Sequence, residues 1–265
     1  MKLIPTRTHR LILIAALLLA IFPAAIGATS PAYKPDGKET LHYKVMFKWG
    51  LIYKQAGSAT LTLRPDGNGG FITTLTAASA PWADKFYCVR DTLRGNLSPG
   101  EWKPVFYEKI AHEGGESKHD KVFYQRIGPS VKASCIRKVW DKKGNLKIDE
   151  QRQLEAYGTT VDMLTSFFYM RSLPFQTWAP GHTVAVNLFS GKQKELLTIK
   201  YIGREPVEID GTPRECYRVT FIFTSKGGKK SSDDMDAWIS ADSARIPLRL
   251  EGKLPVGKVH CLYQP

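Results

Sequence analysis

From Thr40 to the end of the chain the apolar residues recur mostly at every second position, in short runs broken by turn residues. A period of two puts alternate side chains on opposite faces of an extended backbone, so the pattern commits the chain to antiparallel strands. In the first half, strands are predicted over Leu41–Phe47, Ala59–Leu63, Phe71–Ala77, Phe86–Leu93, Val105–Ile110, Lys121–Gln125 and Val131–Trp140. In the second half they are predicted over Thr183–Phe189, Glu195–Ile202, Pro206–Ile209, Arg214–Thr224, Met235–Ser240, Pro247–Leu254 and Lys258–Leu262. The clearest turn is 65–70, where Gly67, Asn68, Gly69 and Gly70 accept a positive φ. Along Cys216–Phe223, Tyr217, Val219, Phe221 and Phe223 share the face expected to be core, with Cys216, Arg218 and Thr220 on the wetter one.

One segment breaks the period. Over 160–173, Val161, Leu164, Phe167, Phe168 and Met170 follow helical spacing, Thr159 or Thr160 can cap the start, and Pro174 ends it. Asp162 in the first turn and Arg171 in the last suit the helix macrodipole. Lying between two runs of strands, this aromatic helix either covers a sheet face as ordinary core or plugs an open barrel. In the second case Arg171 meets an anionic head group at a cavity mouth while Phe167, Phe168 and Met170 touch an acyl chain, with Asp162 at the helix start. Lys103–Glu108 and Arg245–Glu251 echo each other as Pro-opened strands after a turn, a weak sign of two related halves.

Residues 1–27 carry Lys2, Arg7 and Arg10, an apolar run from Leu11 to Phe22, Pro23, and the small residues Ala25 and Gly27. These are the parts of a secretory signal peptide cut after Gly27, too short a run to span a bilayer comfortably. The expected product is an exported periplasmic protein with a flexible segment at 28–39, a single domain at 40–265 and no transmembrane anchor. The leader holds three cations and no carboxylate, so the chain's formal charge of +13 falls to +10 after cleavage. For an exported chain that balance reads either as scattered solvated lysines, since the longest clusters are only Lys142–Lys143 and Lys229–Lys230, or as attraction to anionic envelope polymers or lipid head groups, rather than nucleic acid.

Cys88, Cys135, Cys216 and Cys261 are even in number and could form two disulfides in three pairings. The most local is Cys88 with Cys135 and Cys216 with Cys261; unpaired buried thiols are the other reading. No CxxC or regular ligand spacing favours redox or metal chemistry. The stretch His112–Asp120 gathers His112, Glu113, Glu116, His119 and Asp120, but it lacks the HExxH spacing and reads as a solvated hairpin. Ser231–Asp236 lacks the Gly and terminal Glu of an EF-hand loop. There is no GxSxG elbow and no phosphate loop, so no enzyme activity, cofactor or metal is expected.

Leu41-His42-Tyr43-Lys44-Val45 with Gly50 and Ala56-Gly57, the central Asp162–Arg171, and Ala237–Asp242 with Pro247 together resemble domain-of-unknown-function family 3108. The likeness spans the chain from about Thr40, with Thr165-Ser166 off the commonest wording of the central motif. It implies an all-β protein, an antiparallel barrel or half-barrel with one short central helix, in the Gram-negative periplasm. It transfers no catalytic residues. The functional expectation is a non-enzymatic envelope protein that binds a lipid-like or other hydrophobic ligand. The alternatives are an assembly factor that holds another envelope protein or a surface polysaccharide, and, less favoured, a hydrolase.

Overall fold

The computed structural model describes residues 33, 37–98, 102–225, 228, 234–254 and 256–265; the predicted leader at 1–27 and Ser231–Asp233 lie outside the described residues. Fifteen strands form one sheet. They are β1 (Glu39–Trp49), β2 (Ile52–Pro65), β3 (Phe71–Ser79), β4 (Val89–Leu97), β5 (Pro104–Glu113), β6 (Glu116–Ile127), β7 (Ser130–Trp140) and β8 (Leu146–Tyr157). Then follow β9 (Thr160–Val161), β10 (Thr183–Phe189), β11 (Lys194–Ile209), β12 (Thr212–Thr224), β13 (Met235–Ser240), β14 (Pro247–Lys253) and β15 (Lys258–Gln264). The helices are α1 (Pro81–Asp84) and α2 (Thr165–Arg171), with a 3-10 turn at Phe175–Thr177.

The chain meanders outward from β1 to β8, crosses to β9, and meanders back until β15 pairs antiparallel with β1. The two ends of the sheet therefore approach each other, and side chains close most of the gap. Asn187 Nδ2 donates to the Tyr157 carbonyl at 2.8 Å, and an Arg152 guanidinium N–H donates to the Lys192 carbonyl at 2.5 Å. The result is an all-β, nearly closed barrel-like sheet, its antiparallel strands as the period of two predicts and its barrel-like form as the family resemblance implies.

The strand pattern departs from expectation at particular residues. Residues 86–88 precede β4 rather than belong to it, because Pro81 opens a helical turn and Asp84 is tied to Arg90 at 2.7 Å. β8 was not predicted: Glu150 and Arg152 interrupt the alternation of Ile148, Leu154 and Ala156 on its inward face. The predicted break at Gly203–Glu205 is bridged, with only a bulge in β11 between Tyr201 and Gly203. Beyond Tyr201, β11 has no β10 beside it, so Pro206 sits where its missing N–H leaves no ladder bond unmade.

The interior is packed from both arms. One core cluster gathers Leu61, Leu97, Tyr107, Val122 and Phe168; a second gathers Met170, Phe175, Leu197, Val219 and Ile239. α2 contributes to both and so acts as the wedge between the arms. On β12, Tyr217, Val219 and Phe221 face the core as expected, while Cys216 is also buried, under Val207 and Trp238 on the outer face.

Candidate functional site

The helix residues singled out in the sequence are brought together, but as core. α2 spans Thr165–Arg171 rather than 160–173, since Thr160 and Val161 form β9 and Asp162 sets the true start. Asp162 Oδ1 accepts the backbone N–H groups of Leu164 and Thr165 at 2.9 and 2.7 Å, and Oδ2 accepts the Thr165 hydroxyl at 2.9 Å. Burial pushes its carboxyl up to about 6 against the lowering effect of those bonds. Thr160, one of the two expected caps, instead turns its hydroxyl to the Gly158 carbonyl.

Arg171 is wholly enclosed. Its guanidinium donates to both oxygens of Glu39 at 2.6 Å each, to the Ala244 carbonyl at 2.8 Å and, through Nε, to the Arg245 carbonyl at 3.0 Å. The Tyr33 ring lies 3.8 Å from its central carbon. Phe168 stacks on Trp102 at 5.3 Å and meets Phe167 edge-on at 5.6 Å. Met170 joins the second core cluster. No acyl chain or head group reaches Asp162, Phe168, Met170 or Arg171 without displacing that packing, so the ligand site expected at the helix is corrected to a structural junction.

The disulfide expectation is corrected as well: all four cysteines are free thiols. Cys135 on β7 lies three strands from the start of β4 beside Cys88, and Cys216 on β12 lies three strands from Cys261 on β15. At about 4.8 Å per strand each local pair is separated by roughly 14 Å, twice the reach of a disulfide. Burial pushes the thiols of Cys135 and Cys261 up to about 11 and that of Cys216 up to about 12.

The residues of 112–120 are divided between the two faces of β5 and β6. His112 contacts Ser117 and His119 contacts Glu108 at 2.8 Å on the outer face, while Glu113 pairs with Lys109 and Lys118, and Asp120 with Arg137, on the inner one. Among the described residues no cluster of three metal-ligating side chains occurs.

A different site forms on the outer face, where β14, β15 and β1 run side by side. An open groove of about 470 Å³ is lined by Lys48, Arg249, Glu251, Lys253, Lys258 and His260, with Trp49 and Leu254 at its rim. Register brings them together: Lys48 is opposite Lys258, Met46 opposite His260, and Glu251 opposite His260. Arg249 is held on two sides, by the Trp238 ring 4.9 Å away and by an ion pair with Glu251. Trp238 is fixed in turn by Arg218 on its ring at 5.1 Å and by donating its indole N–H to Glu205.

His260 is 6% exposed, and its Nε2 has no hydrogen-bond partner among the described residues; Arg249 Nε is likewise unsatisfied. Burial lowers the His260 pKa, opposed by Glu251 and assisted by Arg249, Lys48 and Lys258. Four cations thus face one carboxylate around a neutral imidazole. This is the chemistry that complements an oxyanion, for which Arg supplies a planar fork and Lys a point charge. The lysines of 48–54 and 253–258 form no motif in the sequence, and nothing local says that the two runs are neighbours.

A second shallow groove, of about 350 Å³, crosses β2 to β5 and is lined largely by Thr60, Thr76, Arg90, Thr92 and His112. Arg90 there is already committed to Asp84.

The family model described as protein of unknown function (DUF3108) matches residues 40–261. A comparison with curated proteins found no match. Among solved structures the chain is similar to a crystal structure of a beta-barrel-like protein of domain of unknown function DUF1849 from Brucella abortus, at 8% identity, 86% coverage of this chain, 96% of that one and a TM-score of 0.60. At that identity the likeness is one of fold.

Proposed function

The chain belongs to the DUF3108 family, and from that premise we propose an exported, non-catalytic periplasmic protein that binds the anionic group of a lipid-like or polymeric envelope ligand. The binding site is the groove of Lys48, Arg249, Lys253, Lys258 and His260 on the outer face, not the central helix. The observation that carries this reading is the buried, unpartnered His260 Nε2 beside four cations and one carboxylate. A neutral imidazole that donates one N–H, flanked by Arg and Lys, satisfies a phosphate or carboxylate oxygen, and the surplus positive field draws the ligand in.

The non-catalytic part of the reading rests on commitment. The His, Asp and Glu of 112–120 are tied into pairs, and burial holds three of the four thiols protonated. The assembly-factor reading draws less support: of Trp49, Trp82, Trp102, Trp140 and Trp178, only Trp49 is exposed.

Titration calorimetry with glycerol 1-phosphate, a head-group fragment, tests the groove. Saturable binding is expected, weakened at least about tenfold by Arg249→Gln with Lys258→Gln. Absence of saturable binding, or binding indifferent to those substitutions, overturns the reading.

A further inference from the structure

The groove opens at one end of the barrel, and that end has a second property. The β1–β2 hairpin turns through Gly50 and Leu51, leaving Trp49, Leu51, Ile52 and Tyr53 exposed, with Leu51 fully extended into solvent at 105%. Beside it the β14–β15 turn exposes Leu254 and Val256. The two tips are packed together: Gly257, at φ 79°, lies so close that an added Cβ would collide with the Lys48 carbonyl oxygen. On the other flank, Trp82 donates to the Gln55 carbonyl at 2.7 Å and carries Lys54 over its ring at 4.8 Å, and Phe86 and Tyr87 stand exposed after α1. All these turns lie at the same end, because β1–β2, β3–β4 and β14–β15 reverse the chain there.

We propose that this end docks peripherally on an anionic bilayer surface, with the β1–β2 and β14–β15 tips inserted into the head-group region. Contiguous exposed apolar side chains on convex hairpin tips mark an interaction surface. Their chemistry is that of a membrane interface, with Trp and Tyr accompanied by Leu, Ile and Val. Lys48, Lys54, Lys253 and Lys258 form a collar behind the tips, and neither 48–55 nor 252–258 contains an Asp or Glu. A protein–protein interface core is depleted in Lys, whereas lysines whose stems lie along apolar surface and whose ammonium groups reach phosphates suit anionic lipid. Trp49 pairs with Ile52 across the two-residue loop, so few peptide groups lose water unpaired when the tip enters. Lys48, Lys253 and Lys258 belong both to this collar and to the groove, so docking sets the groove against the head groups, and the apolar tips are the part that serves docking alone.

Flotation with vesicles of phosphatidylglycerol and phosphatidylcholine, compared with phosphatidylcholine alone, tests it, using protein secreted from its own leader with loss of residues 1–27 verified by intact mass. Salt-sensitive binding to the anionic vesicles only is expected, weakened at least about tenfold by Leu51→Ser with Val256→Ser. Both positions are exposed and the substitutions add no charge beside the groove, so that double variant keeps its fold and its affinity for glycerol 1-phosphate in solution. Failure to float, or vesicle binding unchanged in the double variant, overturns docking. Self-association that the same substitutions abolish also overturns it, in favour of a second copy. Loss of glycerol 1-phosphate binding by Arg249→Gln is read without vesicles and reports on the groove alone.

Discussion

Arg171, the last residue of α2, and Glu39, the first of β1, are joined by two N–H···O bonds of 2.6 Å across 132 positions of sequence. The pair ties the wedge between the two arms to β1, the strand at which those arms join through the pairing of β1 with β15.

Removal of one partner leaves the other charge and two carbonyls inside the protein. Arg171→Ala is therefore expected to destabilise by about 3–5 kcal/mol, and Arg171→Lys by about 1–3 kcal/mol because a single ammonium cannot span both oxygens. Urea unfolding measures both. A loss under about 1 kcal/mol for Arg171→Ala would show that the junction is not structural.

His260 gives the groove a pH signature. Its folded pKa lies below the ordinary 6.5, so below that pH the unfolded chain takes up the proton first. Stability is expected to fall as pH drops from about 6.5 through the folded value, and the slope should flatten in His260→Gln. An oxyanion in the groove offsets Arg249, Lys48 and Lys258 and raises the pKa, so binding should take up a proton and tighten as pH falls. An imidazole titration followed by NMR with and without glycerol 1-phosphate decides this; an unmoved His260 curve refutes it.

The thiols should behave as isolated groups. Cys135, Cys216 and Cys261 are expected to resist a thiol reagent at neutral pH until the protein unfolds, because only the thiolate reacts and burial suppresses it. Dithiothreitol should leave Tm unchanged. A fall of several degrees would restore a disulfide to the folded state.

Much of the fold was legible. β1, β3, β10 and β13 stand where the alternation put them, because inward and outward side chains there differ in polarity. β8 was hidden because Glu150 and Arg152 occupy its inward positions and hydrogen-bond at the rim rather than pack in a core. The site was less legible than the fold. Asp162 and Arg171 stand out as polar residues on an apolar helix, yet the same pattern describes a head-group receptor and a buried ion pair. Only Glu39, far away in sequence, distinguishes them.

By itself the sequence determined most of the strands, the central helix and the apolar face of β12, since each depends on periodicity over a few neighbouring residues. The tertiary structure alone decided what meets across the sheet. The return of β15 to β1 sets Lys48 opposite Lys258 and brings His260 under the β1–β2 tip. That contact spans most of the chain, and no local preference encodes it; it follows from pairing the first strand with the last, which satisfies backbone groups along one edge of each at once.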